Sequence, residues 1–423
     1  MLPYFVRLCA VGFVIISICP GMGRALMLPK ADHAARFEPK DTDADSCSKH
    51  FDALEQEHGI RHPRDVFQHA WPTYDLTDLE AARCETIVIA SDGRLMVQGD
   101  CLNLAVFNRL RDLNRLITHL PKSVSFIAGH STEDTGRCHA HAPAVVHDAA
   151  FTRNQTDSEL LLPITPYTSG YAVKRAAMLS ESEGANYQIF DDLDPVCMWR
   201  GGPHGSGLNQ SRDYKGRGKC ERTDSDRDCV VKLAAGNTIG LNAVFGYTPN
   251  LVVDPGVKTP FACILAIDGN SYASLLPDIL TQGSLALRIG GYKHDADPAE
   301  RRQSDYAWYE ALLVEGMHYF RTNIDQLESF IPQLFKQPSR HLQSVAKAGA
   351  LAAQSIFTSR TVECYSVLAA LDFARGQQGV IAEALRSQRF KTFDQCEHEC
   401  AAYRGDECAF PLQRGNECCL TGG

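Results

Sequence analysis

Residues 261–267 read FACILAI, seven consecutive apolar residues closed by Pro260 on one side and by Asp268-Gly269 on the other. A run that short and that sharply bounded predicts a strand buried on both faces rather than a helix. SVSFIAG (123–129), SLALRIGG (284–291) and the short HYFR (318–321) have the same character. Helical segments alternate with them. Leu104, Phe107, Leu110, Leu113 and Leu116 recur at three-residue steps within Asn103–Leu120, and Ser274–Thr281, Tyr306–Glu315 and Ile324–Phe335 follow. Strands separated by helices predict an α/β fold with parallel sheets and right-handed crossovers. Two such units are expected, near 84–160 and 195–335.

Other segments refine this outline. Ser46–His58 reads as a helix, and Glu85–Val97 as strand with Asp92-Gly93 as its hairpin turn. A long helix is expected over Arg340–Arg375, broken near Ser359. Residues 391–423 hold five of the cysteines without apolar periodicity, which predicts a small disulfide-stapled tail. Trp308, Tyr309, His318 and Tyr319 read as core packing.

The first residues, MLPYFVRLCAVGFVIISICPGMG, carry an apolar run from Leu8 to Cys19 ended by Pro20-Gly21. Its length suits a signal peptide, or a short N-terminal membrane anchor if extended back to Pro3. The chain has sixteen cysteines; Cys9 and Cys19 lie in this leader, leaving fourteen. That even number points to an oxidising compartment, and so to the secretory pathway lumen, endoplasmic reticulum or Golgi. Asn154-Gln155-Thr156 and Asn209-Gln210-Ser211 are glycan acceptor sequons. A net charge of -9 argues against a nucleic-acid partner, because neutralising phosphates takes a basic face.

Three stretches carry candidate chemistry. In FACILAIDGNSYASLLPDILTQGS a strand ends at a tight turn and a helix follows, an arrangement that presents free N–H groups to an anion. WRGGPHGSGLNQSRDYKGRGKCERTDSDRDCVVKLA (199–234) places Arg200 after an apolar strand and Arg227 at the start of another element, where two guanidiniums can meet a diphosphate. FIAGHSTEDTGRCHAH (126–141) leaves a strand and enters a loop with His130, Glu133, Asp134, His139 and His141, a usual place for a general base. Cys138, His139 and His141 lack a distant second ligand pair, so no metal site is expected. No G-x-S-x-G elbow occurs, which argues against an α/β hydrolase.

Taken in order, these segments resemble glycosyltransferase family 90, the Rumi-type protein O-glucosyltransferases and fungal capsule-associated xylosyltransferases. IDGNSYASLLPDILTQGSLALRIGG is similar to the family's strand, "DG…S" turn and following strand, and AWYEALLVEGMHYFRTNIDQLESFI to its tryptophan and "HY" run. MWRG and ERTDSDRDCVVKLA resemble its nucleotide segment, here with an insertion at 202–220, and PITPYTSG more loosely its "lPiP" passage. The likeness covers roughly 85–375.

The resemblance implies a GT-B fold, two Rossmann-like domains facing a cleft. The division is then a leader (1–26), an N-terminal extension (27–83), an acceptor-side domain (84–165), a nucleotide-sugar-side domain (166–345), C-terminal helices (346–380) and a Cys-rich tail (381–423). It implies an inverting, metal-independent transferase without cofactor that moves glucose or xylose from a UDP-sugar to a protein or glycan hydroxyl. Carried over, Arg200, Gly201 and Arg227 belong to the nucleotide site, and Asp268, Gly269, Asn270 and Ser274 to the phosphate turn. Two positions depart from the pattern. The family's diphosphate arginine is Leu275 here, and the place of its catalytic aspartate falls on His130, leaving His130, Glu133 and Asp134 as candidate bases. A non-catalytic binding descendant of the fold is the alternative.

Overall fold

FACILAI forms the middle strand of a five-stranded sheet, and all of its neighbours run parallel to it. The structure is a computed structural model and describes residues 43–66, 74–84, 86–99, 101–130, 145–147, 159–162, 193–202, 226–235, 239–245, 261–267, 276–281, 283–289 and 308–404. The leader, both sequons, Glu133, Asp134, the CHAH cluster and the turn 268–275 lie outside them.

Three helices, α1 (Ala44–His58), α2 (Pro63–Val66) and α3 (Leu76–Ala81), precede the first sheet, which is mixed. β1 (Thr86–Ser91) and β2 (Arg94–Gly99) form an antiparallel hairpin, and β3 (Phe126–His130) lies antiparallel on the other side of β1. Only β3, β4 (Val145–His147) and β5 (Glu159–Leu161) pair in parallel. The sheet therefore departs from the all-parallel unit expected here. Asp92 and Gly93 are the reason: φ is 52° at the first and 70° at the second. A turn with both central residues at positive φ matches strand twist and folds the chain straight back. α4 (Leu104–His119) then covers the sheet, burying Phe107, Leu110, Leu113 and Leu116 as its spacing predicts.

The second sheet has the order β10-β9-β8-β6-β7, every pair parallel. Its strands are β6 (Asp194–Gly201), β7 (Leu241–Phe245), β8 (Phe261–Ile267), β9 (Leu285–Ile289) and β10 (Phe320–Thr322). Counted along the chain this order is 2-1-3-4-5, a doubly wound arrangement whose direction reverses between β6 and β8. Helices cover both faces. α5 (Asp226–Ala234) packs with Cys197, Trp199, Cys263 and Leu265 on one face. α6 (Leu276–Thr281) packs with Ile264, Ala266 and Ala286 on the other. Burial from both sides explains why β8 is apolar throughout, and β9 apart from Arg288, rather than alternating.

The C-terminal half joins the two sheets. α7 (Leu327–Leu334) lies in the same apolar cluster as α5. α8 (Ser339–Ile356) places Leu342 and Val345 in that cluster and Ala352 and Ile356 in the cluster shared with the first sheet. α9 (Ser359–Phe373) follows after a break at Phe357-Thr358 and is joined to the N-terminal α1 (Ala44–His58) by the Cys47–Cys364 disulfide. The segment expected as a separate tail is built into the body up to residue 404. After α10 (Gln378–Arg386), β11 (Lys391–Thr392) adds a strand to β2 and α11 (Phe393–Arg404) stacks Phe393 on Phe107. Cys396 of α11 is bonded to Cys101. A third disulfide, Cys197–Cys263, joins residues directly paired on β6 and β8. Disulfides of this kind belong to an oxidising, secretory-type environment. Among the described residues no helix is long and apolar enough to cross a membrane.

Candidate functional site

In a doubly wound sheet, a ligand crevice opens at the carboxyl ends of the strands where their order reverses. Here that point is the end of β6 and β8. β6 finishes at Trp199-Arg200-Gly201, and β8 at Ile267, one residue before Asp268. α6 starts at Leu276, directly after Leu275. The structure thus sets both flanks of residues 268–275, while Asp268, Gly269, Asn270 and Ser274 themselves lie outside the described residues.

Successive residues of a strand face opposite ways, so Trp199 and Arg200 leave β6 on different faces. Trp199 is buried, with Phe245 of β7 edge-on to its ring at 5.9 Å between centroids. Its ring also lies under Gly201, where a Cβ would sit 2.6 Å from Trp199 Cζ2. Only glycine fits that position. Arg227, in the first turn of α5, lies over the Trp199 ring at 5.8 Å and donates from Nη1 to the Gly202 carbonyl at 3.1 Å. The two arginines singled out in the sequence therefore converge on the tip of β6 from opposite faces.

Arg200 is half-buried on the other face. Its Nη1 donates to the carbonyls of Trp199 (2.7 Å) and Asn242 (2.9 Å), and its Nη2 to Asn242 Oδ1 (2.8 Å). All three acceptors are neutral. Among the described residues no carboxylate pairs with this guanidinium, and burial lowers its proton affinity. Three of the five N–H groups of an arginine are engaged in this way. A partly desolvated cation without a counter-ion is what an anion site requires.

His130 ends β3 in the other sheet. Its ring is 2% exposed and its Nδ1 lies 3.1 Å from Thr86 Oγ1, on the residue paired with it across β1. Burial, reinforced by the charge of Arg109 on α4, pushes its pKa down to about 4. The ring is thus neutral at physiological pH and a weak proton acceptor. No hydrogen bond or ion pair joins it to Arg200, Gly201 or Arg227. Glu133 and Asp134 follow it outside the described residues.

A charged cluster that the sequence reading passed over lies at the far side of the second sheet. Arg288 of β9 and Arg321 of β10 are in register, and both donate to Glu310 Oε2, at 3.2 and 3.1 Å. All three side chains are buried, and among the described residues Glu310 Oε1 has no hydrogen-bond partner. The signal in the sequence was an arginine inside the otherwise apolar run of β9 and a second one in the short β10. Unlike Arg200, these guanidiniums share a carboxylate.

A serine–histidine–carboxylate group also occurs in the N-terminal segment, at Ser48, His62 and Asp52. The Arg64 N–H donates to His62 Nδ1 at 3.0 Å, so the proton of the neutral ring is on Nε2, which faces Ser48 Oγ at 3.1 Å. A histidine donating to the serine cannot take its proton, and the group is structural. The aromatic group is core as expected: Trp308, Tyr309 and His318 are fully buried, and Trp308 packs on Tyr365 at 4.9 Å. Among the described residues no cluster of three or more potential metal ligands occurs. No protein-family model matches the chain, and no curated protein matches it.

Proposed function

We propose that this protein is an inverting glycosyltransferase of GT-B architecture, moving glucose or xylose from a UDP-sugar to a hydroxyl of a protein or glycan acceptor. The observation that carries this reading is Arg200, a half-buried cation held by neutral oxygens at the end of β6, beside the reversal point of a parallel sheet. Arg227 reaches the same strand end from the opposite face. The disulfides support an endoplasmic reticulum or Golgi setting.

In this reading a carboxylate takes the proton of the acceptor hydroxyl, whose oxygen bonds to C1 of the sugar. The C1–O bond to the diphosphate breaks, and UDP departs with its charge met by Arg200 and Arg227. The enclosed, weakly basic His130 suits the base role poorly, which leaves Glu133 or Asp134 for it. Thermal stabilisation by UDP, followed by UDP release from UDP-glucose and UDP-xylose with acceptor, tests the reading. Arg200→Ala is expected to abolish stabilisation while keeping the fold; unaltered stabilisation would remove Arg200 from the site.

A non-catalytic sugar-nucleotide-binding protein is the second reading. Leu275 and His130, standing where the resemblance places an arginine and an aspartate, favour it. Stabilisation by UDP without turnover would decide for it, and no response to any nucleotide would sink both.

A further inference from the structure

The geometry points to Asn242 as a positioning residue for anion binding: it orients Arg200 without neutralising it. This rests on the nucleotide reading above. Asn242 belongs to β7, the edge strand, where Met198 pairs with Asn242 and Arg200 with Val244. Paired residues of parallel strands share a face, so Asn242, Val244 and Arg200 stand together on the face away from Trp199 and Arg227.

Asn242 holds Arg200 twice, through its backbone carbonyl at 2.9 Å and its amide Oδ1 at 2.8 Å. With the Trp199 carbonyl at 2.7 Å, these bonds fix the plane of the guanidinium. The Nε–H and one Nη2–H are left without an acceptor among the described residues. Two N–H groups on one edge of a planar fork match two oxygens of a phosphate. A carboxylate could hold the same plane, but would neutralise the charge the anion needs. An amide does the first without the second. Val244, half exposed on the same face, leaves that flank of the strand open.

The test compares wild type, Asn242→Asp and Asn242→Ala by calorimetric titration with UDP, uridine and inorganic pyrophosphate. Asn242→Asp is close in shape and adds a negative charge beside Arg200; it is expected to weaken UDP binding about fivefold and leave uridine binding unchanged. Asn242→Ala loses orientation but not charge and should fall between the two. Equal UDP affinity in all three proteins overturns the inference, as does a parallel loss of UDP and uridine, which is what general damage to the fold produces. If Asn242→Asp does not fold, Asn242→Ala decides by the same comparison. If wild type binds no UDP, the nucleotide reading falls. Pyrophosphate then decides separately: weaker binding in Asn242→Asp supports the role of Asn242, and no binding to wild type ends it.

Discussion

His130 shows how a strand position overrides a chemical expectation. A histidine leaving a strand for a polar loop is a reasonable proton acceptor when only its neighbours in sequence are considered. Pairing across β1 closes the ring against Thr86, and burial then disfavours its charged form. The sign of the pH effect follows. The folded-state pKa of about 4 lies below the ordinary 6.5, so the unfolded chain binds the extra proton first. Stability is complete above pH 6.5 and is lost as the pH falls towards 4, by about 3 kcal/mol from this group alone. Burial lowers His50, His62 and His318 as well, which adds to the loss. Urea unfolding at pH 7 and pH 4.5 should show this fall in wild type and a smaller one in His130→Gln. An equal fall in both proteins would assign the effect to other groups.

At the scale of elements, β9 and β10 are joined by a carboxylate as well as by their backbone ladder. Two arginines in register on neighbouring strands repel each other unless an anion lies between them. Glu310 supplies it from the turn Glu310–Leu312, before β10. Breaking a buried pair of this kind costs about 3–5 kcal/mol, because the charges left behind stay desolvated. Glu310→Gln is therefore expected to lower the urea midpoint sharply, and a shift no larger than that of an exposed Glu→Gln control would refute the role. The cluster also shows what a sequence conceals. Elements with a strong local pattern were legible: the stripe over 104–119, the run 261–267, the Asp92-Gly93 turn and the break before Ser359. Glu310 stands 22 residues from Arg288 and 11 from Arg321, with no periodicity to connect them. β7 and the two-residue β11 are too short or too mixed to show period-two alternation, so Asn242 and the completion of the first sheet became visible only in three dimensions. In the candidate site, Arg200 was legible as the polar end of an apolar strand and Arg227 at the opening of an apolar element, while Gly201 came from the family resemblance alone. The neutral cradle around Arg200 was not, since two of its three acceptors belong to Asn242 of β7.

Across the whole molecule, the segments near both ends of the described chain are fastened together. Cys47–Cys364 spans 317 residues and Cys101–Cys396 spans 295. In the chain-entropy account, a cross-link closing a loop this long stabilises the fold by about 5 kcal/mol. The double variant Cys47→Ser with Cys364→Ser should unfold at a clearly lower urea concentration than wild type. A midpoint unmoved by the change would show that α1 docks on α9 through packing alone.

The same long closures set a timetable for synthesis. At about 5–20 residues per second, Cys47 waits roughly 15–60 s for Cys364 to be made, and Cys101 waits almost as long for Cys396. The first sheet is also short of its outer strand until Lys391 and Thr392 arrive to pair with β2. During that interval Cys47 and Cys101 are made without their native partners. Refolding of the reduced protein should therefore pass through species in which Cys47 and Cys101 carry other partners, and a thiol–disulfide exchange catalyst is expected to raise the yield of the Cys47–Cys364 and Cys101–Cys396 pairs.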